Sequence, residues 1–185
     1  MRKIIATLLF ITVLAGVILF SLQAEWYRKN PRRKLQSNVT EKLSASGDSA
    51  IATSDVPVAA VLLYYDSIIG SGYNTVKKNL LAGGHAEINA ISDAMRRTGP
   101  DSFMKLDRTH LTLITTWEPC AMCRGAIIEY DIRHIVVMHP KPLTARFREW
   151  MRSERFEWNK QGTDIDTLQE CLFKKHPLYK QQKQE

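Results

Sequence analysis

The rhythm of hydrophobic and polar positions divides this chain into stretches of different kinds. Ile4 to Leu22 is nineteen residues without a charge, with Thr7, Thr12 and Ser21 as its mild polar members. As a helix it would span about 28 Å, close to the thickness of a bilayer's hydrocarbon layer. Trp26 and Tyr27 follow it, as interfacial aromatics do. Residues 1–27 are therefore expected to form a transmembrane anchor or a signal segment. Ala24 alone suits a cleavage site, which favours the anchor. Five basic residues soon after the segment would hold the rest of the chain in the cytoplasm. A short basic head before an apolar run is equally the layout of an export signal, so the face stays open between cytoplasmic and exported. Residues 28–37, with Asn30-Pro31-Arg32-Arg33-Lys34, read as a basic tether.

From residue 38 to 185 the pattern is that of a globular domain. A short helix is expected from Val39 to about Ile51. Val56 to Tyr65 is a continuous apolar run rich in branched residues, the mark of a strand buried on both faces. Asp66-Ser67 turns it into a second strand at Ile68-Ile69-Gly70. A loop through Gly83-Gly84 leads to a helix from His85 to about Arg97, whose Ile88, Ile91 and Met95 recur at helical spacing. His110 to Thr115 and Ile132 to Met138 read as strands, with a helix from Pro119 to about Tyr130 between them. Helices over Leu143–Phe156 and Ile165–Lys174 complete the order. Strands separated by helices run parallel through right-handed crossovers, so the fold is expected to be α/β, a mixed central sheet with helices on both sides.

Charge alters the picture less than the total suggests. The net charge is +7, but residues 1–34 hold seven basic side chains and one acid, leaving 19 basic and 18 acidic groups for the rest. The near-neutral domain gives no general reason to expect a polyanion partner. Arg146, Arg148, Arg152 and Arg155 read as a solvated helix face with Glu149, Glu154 and Glu157 interleaved, with an RNA-binding face as the alternative. Three cysteines do not make a disulfide framework. Cys171 reads as a buried or half-buried thiol in the last helix.

The chemistry lies in two short segments, His85-Ala86-Glu87 and Pro119-Cys120-Ala121-Met122-Cys123. Cys120 and Cys123 are spaced i, i+3, on one face of a first helical turn, where free N–H groups and the helix dipole favour thiolate. Thiolate and imidazole are zinc ligands, and three protein ligands leave a fourth position open, as in catalytic sites. Glu87 need not be a ligand and can move protons beside the metal. A redox pair or a structural zinc completed by His110, His134, His139 or His176 is the alternative, and a zinc-stabilised, non-catalytic interaction domain is another.

These segments match the H-x-E…P-C-x-x-C signature of zinc deaminases. The chain resembles the cytidine and deoxycytidylate deaminase superfamily. Glu118 to Ile128, His85 to Ile91, Asp55 to Val61 and Gly72-Tyr73-Asn74 are similar to the branch holding tRNA-specific adenosine deaminases and guanine deaminases. It departs from that branch at Leu81-Ala82-Gly83-Gly84 and at Trp117. The resemblance implies a cytidine deaminase-like three-layer α/β/α sandwich around a sheet of the five-strand type. It also implies one zinc on His85, Cys120 and Cys123, Glu87 as acid and base, and substrate contacts from Asn74 and the Ala86 backbone. The expected activity is hydrolytic deamination of a nucleobase or nucleoside. An adenosine in tRNA is the alternative substrate, and a membrane contact and a homodimer are the expected partnerships.

Overall fold

The computed structural model describes residues 2–29 and 35–153, with side chains for residues 7, 9–21 and 35–152. Two compact units divide at residue 140. The first carries helix α1 (Arg2–Lys29), helix α2 (Ser37–Ala52), strand β1 (Ala59–Tyr64) and strand β2 (Ser67–Tyr73). It continues with α3 (Val76–Asn79), α4 (Ala86–Thr98), α5 (Pro100–Met104), β3 (Leu111–Trp117), α6 (Ala121–Glu129) and β4 (His134–His139). The second holds α7 (Leu143–Ser153), where Lys141 Nζ meets Glu149 Oε2 at 2.9 Å and Phe147 packs beside Trp150. The helix expected over Ile165–Lys174, the end of the one expected over Leu143–Phe156, and Cys171 lie outside the described residues.

The sheet runs in the order β2-β1-β3-β4. β1 is antiparallel to both β2 and β3, and β3 is parallel to β4. The branched run of β1 is central and covered on both faces, as its unbroken apolar pattern requires. Ala59, Val61 and Leu63 face Val39 and Leu43 of α2. Ala60 and Leu62 face Ala86, Ala90, Ile91 and Ala94 of α4, with Leu111, Leu113, Ile127 and Phe103 in the same cluster. β1 starts three residues later than its apolar run, because Pro57 has no N–H and Val58 N–H turns back to Val56 O (2.7 Å).

Two expectations are corrected. The central sheet has four strands among the described residues, not five. After β4, Pro140 and Pro142 withdraw ladder donors and residues 143–153 coil into α7. The membrane helix also fails: among the described residues no helix is long and apolar enough to cross a membrane. The membrane anchor, the membrane partnership and the membrane localisation are therefore not supported.

One packing contact sets the position of α4. A Cβ on Gly72 would overlap Ala86 O and Ala90 N, and one on Gly70 would overlap Ala90 O and Ala94. β2 thus meets α4 backbone to backbone, through glycine on one side and alanine on the other. Gly72→Ala should lower stability by about 1–3 kcal/mol, the usual cost of forcing extra atoms into a packed core. Gly47→Ala, in α2 where a new Cβ meets nothing within 4 Å, should be neutral or raise stability by up to about 1 kcal/mol. Thermal unfolding of the two variants, followed by circular dichroism, checks both signs.

Candidate metal centre

The first two residues of the site come from the start of α4. His85 is its N-cap in extended conformation, so the helix begins at Ala86 rather than at His85 itself. Glu87 follows in the first turn and is 4% exposed. The third and fourth come from the start of α6. Cys120 is the N-cap there and Cys123 lies in the first turn, fully buried. Pro119 therefore precedes the helix instead of opening it. Both helix starts lie where strands hand the chain over, α6 directly after β3 and α4 after the loop that leaves β2.

The donor atoms form a compact triangle. His85 Nδ1 lies 3.5 Å from Cys120 Sγ and 3.5 Å from Cys123 Sγ, and the two sulfurs are 3.6 Å apart. With zinc bond lengths of about 2.3 Å to sulfur and about 2.0 Å to nitrogen, the edges of a tetrahedral face would be about 3.8 Å between sulfurs and about 3.5 Å from sulfur to nitrogen. The triangle has those dimensions, and the residues fit a zinc ion with a fourth position left open. Among the described residues the cluster comprises these three alone. His139 is instead stacked on Trp117 at 4.5 Å, His110 on Tyr65 at 4.0 Å, and His134 opens β4 on the surface. His176 lies outside the described residues.

Electrostatics favour a cation here. Burial, then the Glu87 carboxylate and Cys120 beside it, push the Cys123 thiol well above its ordinary range. A divalent ion reverses that balance, because its charge stabilises a coordinating thiolate outright. Glu87 touches the triangle, its Oε2 3.4 Å from Cys123 Sγ, and its Oε1 accepts from the Thr115 hydroxyl at 3.2 Å.

Asn74 follows β2. Its N–H donates to Val58 O at 3.0 Å, while its side-chain Oδ1 is buried without a hydrogen-bond partner. Ala86 is 1% exposed, and as the first residue of α4 it carries an N–H that no intrahelical carbonyl can take.

Three residues that hold this arrangement were not among the sequence candidates. Asn89 stands one turn after His85, and its Nδ2 faces Tyr73 O (2.8 Å), Thr75 Oγ1 (3.0 Å) and Gly84 O (3.4 Å). It ties the residue before Asn74 to the residue before His85. Asp55 accepts from the amides of Lys77 and Lys78 and from the Thr53 hydroxyl. Burial alone would raise its carboxyl, but those hydrogen bonds outweigh it and hold the group below the usual carboxylate range. Thr115 is the third. A polar residue in register with inward Leu111 and Leu113, five before a ligand cysteine, was the available signal for it.

Comparison with known proteins agrees with the geometry. The family of the cytidine and deoxycytidylate deaminase zinc-binding region matches residues 33–139. A tRNA-specific adenosine deaminase of Buchnera aphidicola is 42% identical over 82 residues, 44% of this chain and 48% of that protein. The chloroplastic tRNA(adenine(34)) deaminase of Arabidopsis thaliana is 31% identical over 121 residues, 65% of this chain and 9% of that one. The chain thus spans about half or less of the length of these curated relatives. A guanine deaminase structure from Bacillus subtilis superposes with a TM-score of 0.60 at 18% identity, over 78% of this chain and 97% of that one, a likeness of fold. A structure from work on A-to-I editing by tRNA:A34 deaminases superposes with a TM-score of 0.50 at 28% identity, over 57% of this chain and 78% of that one. With the match covering more than half of its residues and both ligand segments inside it, the chain belongs to the cytidine and deoxycytidylate deaminase zinc-binding family.

Proposed function

We propose that this chain is a zinc-dependent hydrolase that deaminates a nucleobase, free or within a nucleoside. The observation that carries the reading is the His85–Cys120–Cys123 triangle with a buried carboxylate against it. When bound there, zinc supplies a water made nucleophilic near neutral pH. Glu87 takes a proton from the attacking water and passes it to the ring nitrogen beside the amine-bearing carbon. It then takes the remaining proton from the hydroxyl added to the ring carbon and delivers it to the amine as the C–N bond breaks. Ammonia leaves, and the ring carbon keeps the oxygen as a carbonyl. Asn74 Oδ1, buried and unpartnered, accepts from a donor on the base or sugar. The Ala86 N–H at the start of α4 donates to an acceptor on the same substrate.

The second reading, an adenosine within tRNA as substrate, is favoured by the tRNA-specific adenosine deaminases at 31% and 42% identity. The near-neutral charge after residue 34 favours the small substrate. A homodimer belongs to the same proposal. Ile128 of α6 and Ile135, Val136 and Met138 of β4 are exposed apolar side chains available to a second copy.

Ammonia release from guanine, adenosine, cytosine, cytidine and a tRNA anticodon stem separates the two substrate classes. Purified protein should hold about one zinc per chain. Glu87→Ala should abolish release with zinc retained, and loss of zinc instead would make Glu87 a ligand. Asn74→Ala should raise KM for the accepted substrate about 2- to 10-fold, the worth of one hydrogen bond. Light scattering should give about twice the 21.2 kDa chain mass if the pair forms as in most symmetric oligomers.

A further inference from the structure

Thr115 is fully buried on the face of β3 that looks toward α4. Strand alternation puts it in line with Leu111 and Leu113, positions that pack in the apolar cluster. A hydroxyl at such a position is tolerated when it is used. Here Oγ1 lies 3.2 Å from Glu87 Oε1 and 3.0 Å from Trp117 O. The hydroxyl has one proton for these two acceptors, and the ionised carboxylate is the stronger of them, so the proton goes to Glu87 and the Trp117 carbonyl, two residues on in the same strand, is its competitor. The other carboxylate oxygen meets Cys123 Sγ at 3.4 Å, and a sulfur committed to a metal has no proton to give. Among the described residues, Thr115 is then the side chain left to donate to Glu87.

We infer that Thr115 is the positioning residue of Glu87, its hydroxyl holding the carboxylate in one rotamer against the donor triangle. Glu87 lies on the second residue of α4 and enters from the helix side, and Thr115 meets it from the sheet side. The carboxylate is thereby fixed between two elements rather than by its own helix alone. The inference rests on the deaminase reading only for what the carboxylate does once it is aimed. A pure packing role would be served as well by valine, which has the shape of threonine without the hydroxyl.

The test compares zinc-loaded full-length wild type, Thr115→Val and Thr115→Ser. In Thr115→Val, kcat should fall about 10- to 100-fold, as for other residues that orient a metal site from behind, with KM and zinc content unchanged. Thr115→Ser should recover most of the loss. The side-chain carboxyl 13C resonance of Glu87, assigned by its disappearance in Glu87→Gln, gives a readout independent of turnover. It should move in Thr115→Val and return in Thr115→Ser. An unmoved resonance in the valine variant, or equal effects of valine and serine, overturns the inference. If wild type deaminates none of the bases offered, the deaminase reading fails, and the resonance still decides what Thr115 does.

Discussion

The site depends on the close approach of β2 to α4. Gly70 and Gly72 leave no side chain between strand and helix, and Ala86, Ala90 and Ala94 answer with the smallest side chain that still favours helix. The helix backbone can therefore lie directly on the sheet. His85 and Glu87 sit at its first turn, so the depth of that packing sets how far imidazole and carboxylate reach toward the cysteines of α6. A larger residue at either glycine would lift the helix and open the donor triangle. Asn89 reinforces the contact by tying the end of β2 to the residue before His85.

Around that contact the chain accumulates polar groups that an apolar core would not hold. Two cysteines, an imidazole and a buried carboxylate lie within one cluster. Buried charge is costly unless it is paired, and the pressure on the Cys123 thiol is the local sign of that cost. A divalent ion held by His85, Cys120 and Cys123 would balance the two thiolates, with the Glu87 carboxylate beside the triangle. Folding and metal binding are linked by that balance, since the ligands are brought together by tertiary packing alone. The same economy of position recurs at Asp55, which caps the short helix α3 from a different part of the chain.

The two corrected expectations have different sources. Hydrophobic pattern reports that a segment avoids water, without reporting what covers it. The apolar run near the start of the chain reads as a span by length, yet no helix among the described residues meets the requirement. The fifth strand came with the family resemblance, whereas Pro140 and Pro142 and the helical spacing of α7 are local features that oppose it.

The residues that the structure brings together as a group able to hold a metal were legible in the sequence, because metal chemistry demands particular donors at particular spacings. The i, i+3 cysteines and the histidine at a helix start are local facts. The order of the four strands and the longer helices from α2 to α6 was legible as well, since a buried strand and an amphipathic helix have different periods, whereas the short α3 and α5 were not. Boundaries drifted by one to three residues where proline or a cap, rather than hydrophobicity, decided the end, as at Ala59 and Ala121. The tertiary structure alone decided the rest. The two 3.5 Å edges of the triangle join His85 to cysteines 35 and 38 positions away, which no local pattern encodes. The pairing of Thr115 with Glu87 crosses from strand to helix, and a threonine in a strand carries no sign of its partner. The order β2-β1-β3-β4, which brings both helix starts together, is equally a result of packing. Local sequence chooses which atoms can do the chemistry, and distance between them is set by the sheet and by the glycines that let α4 lie on it.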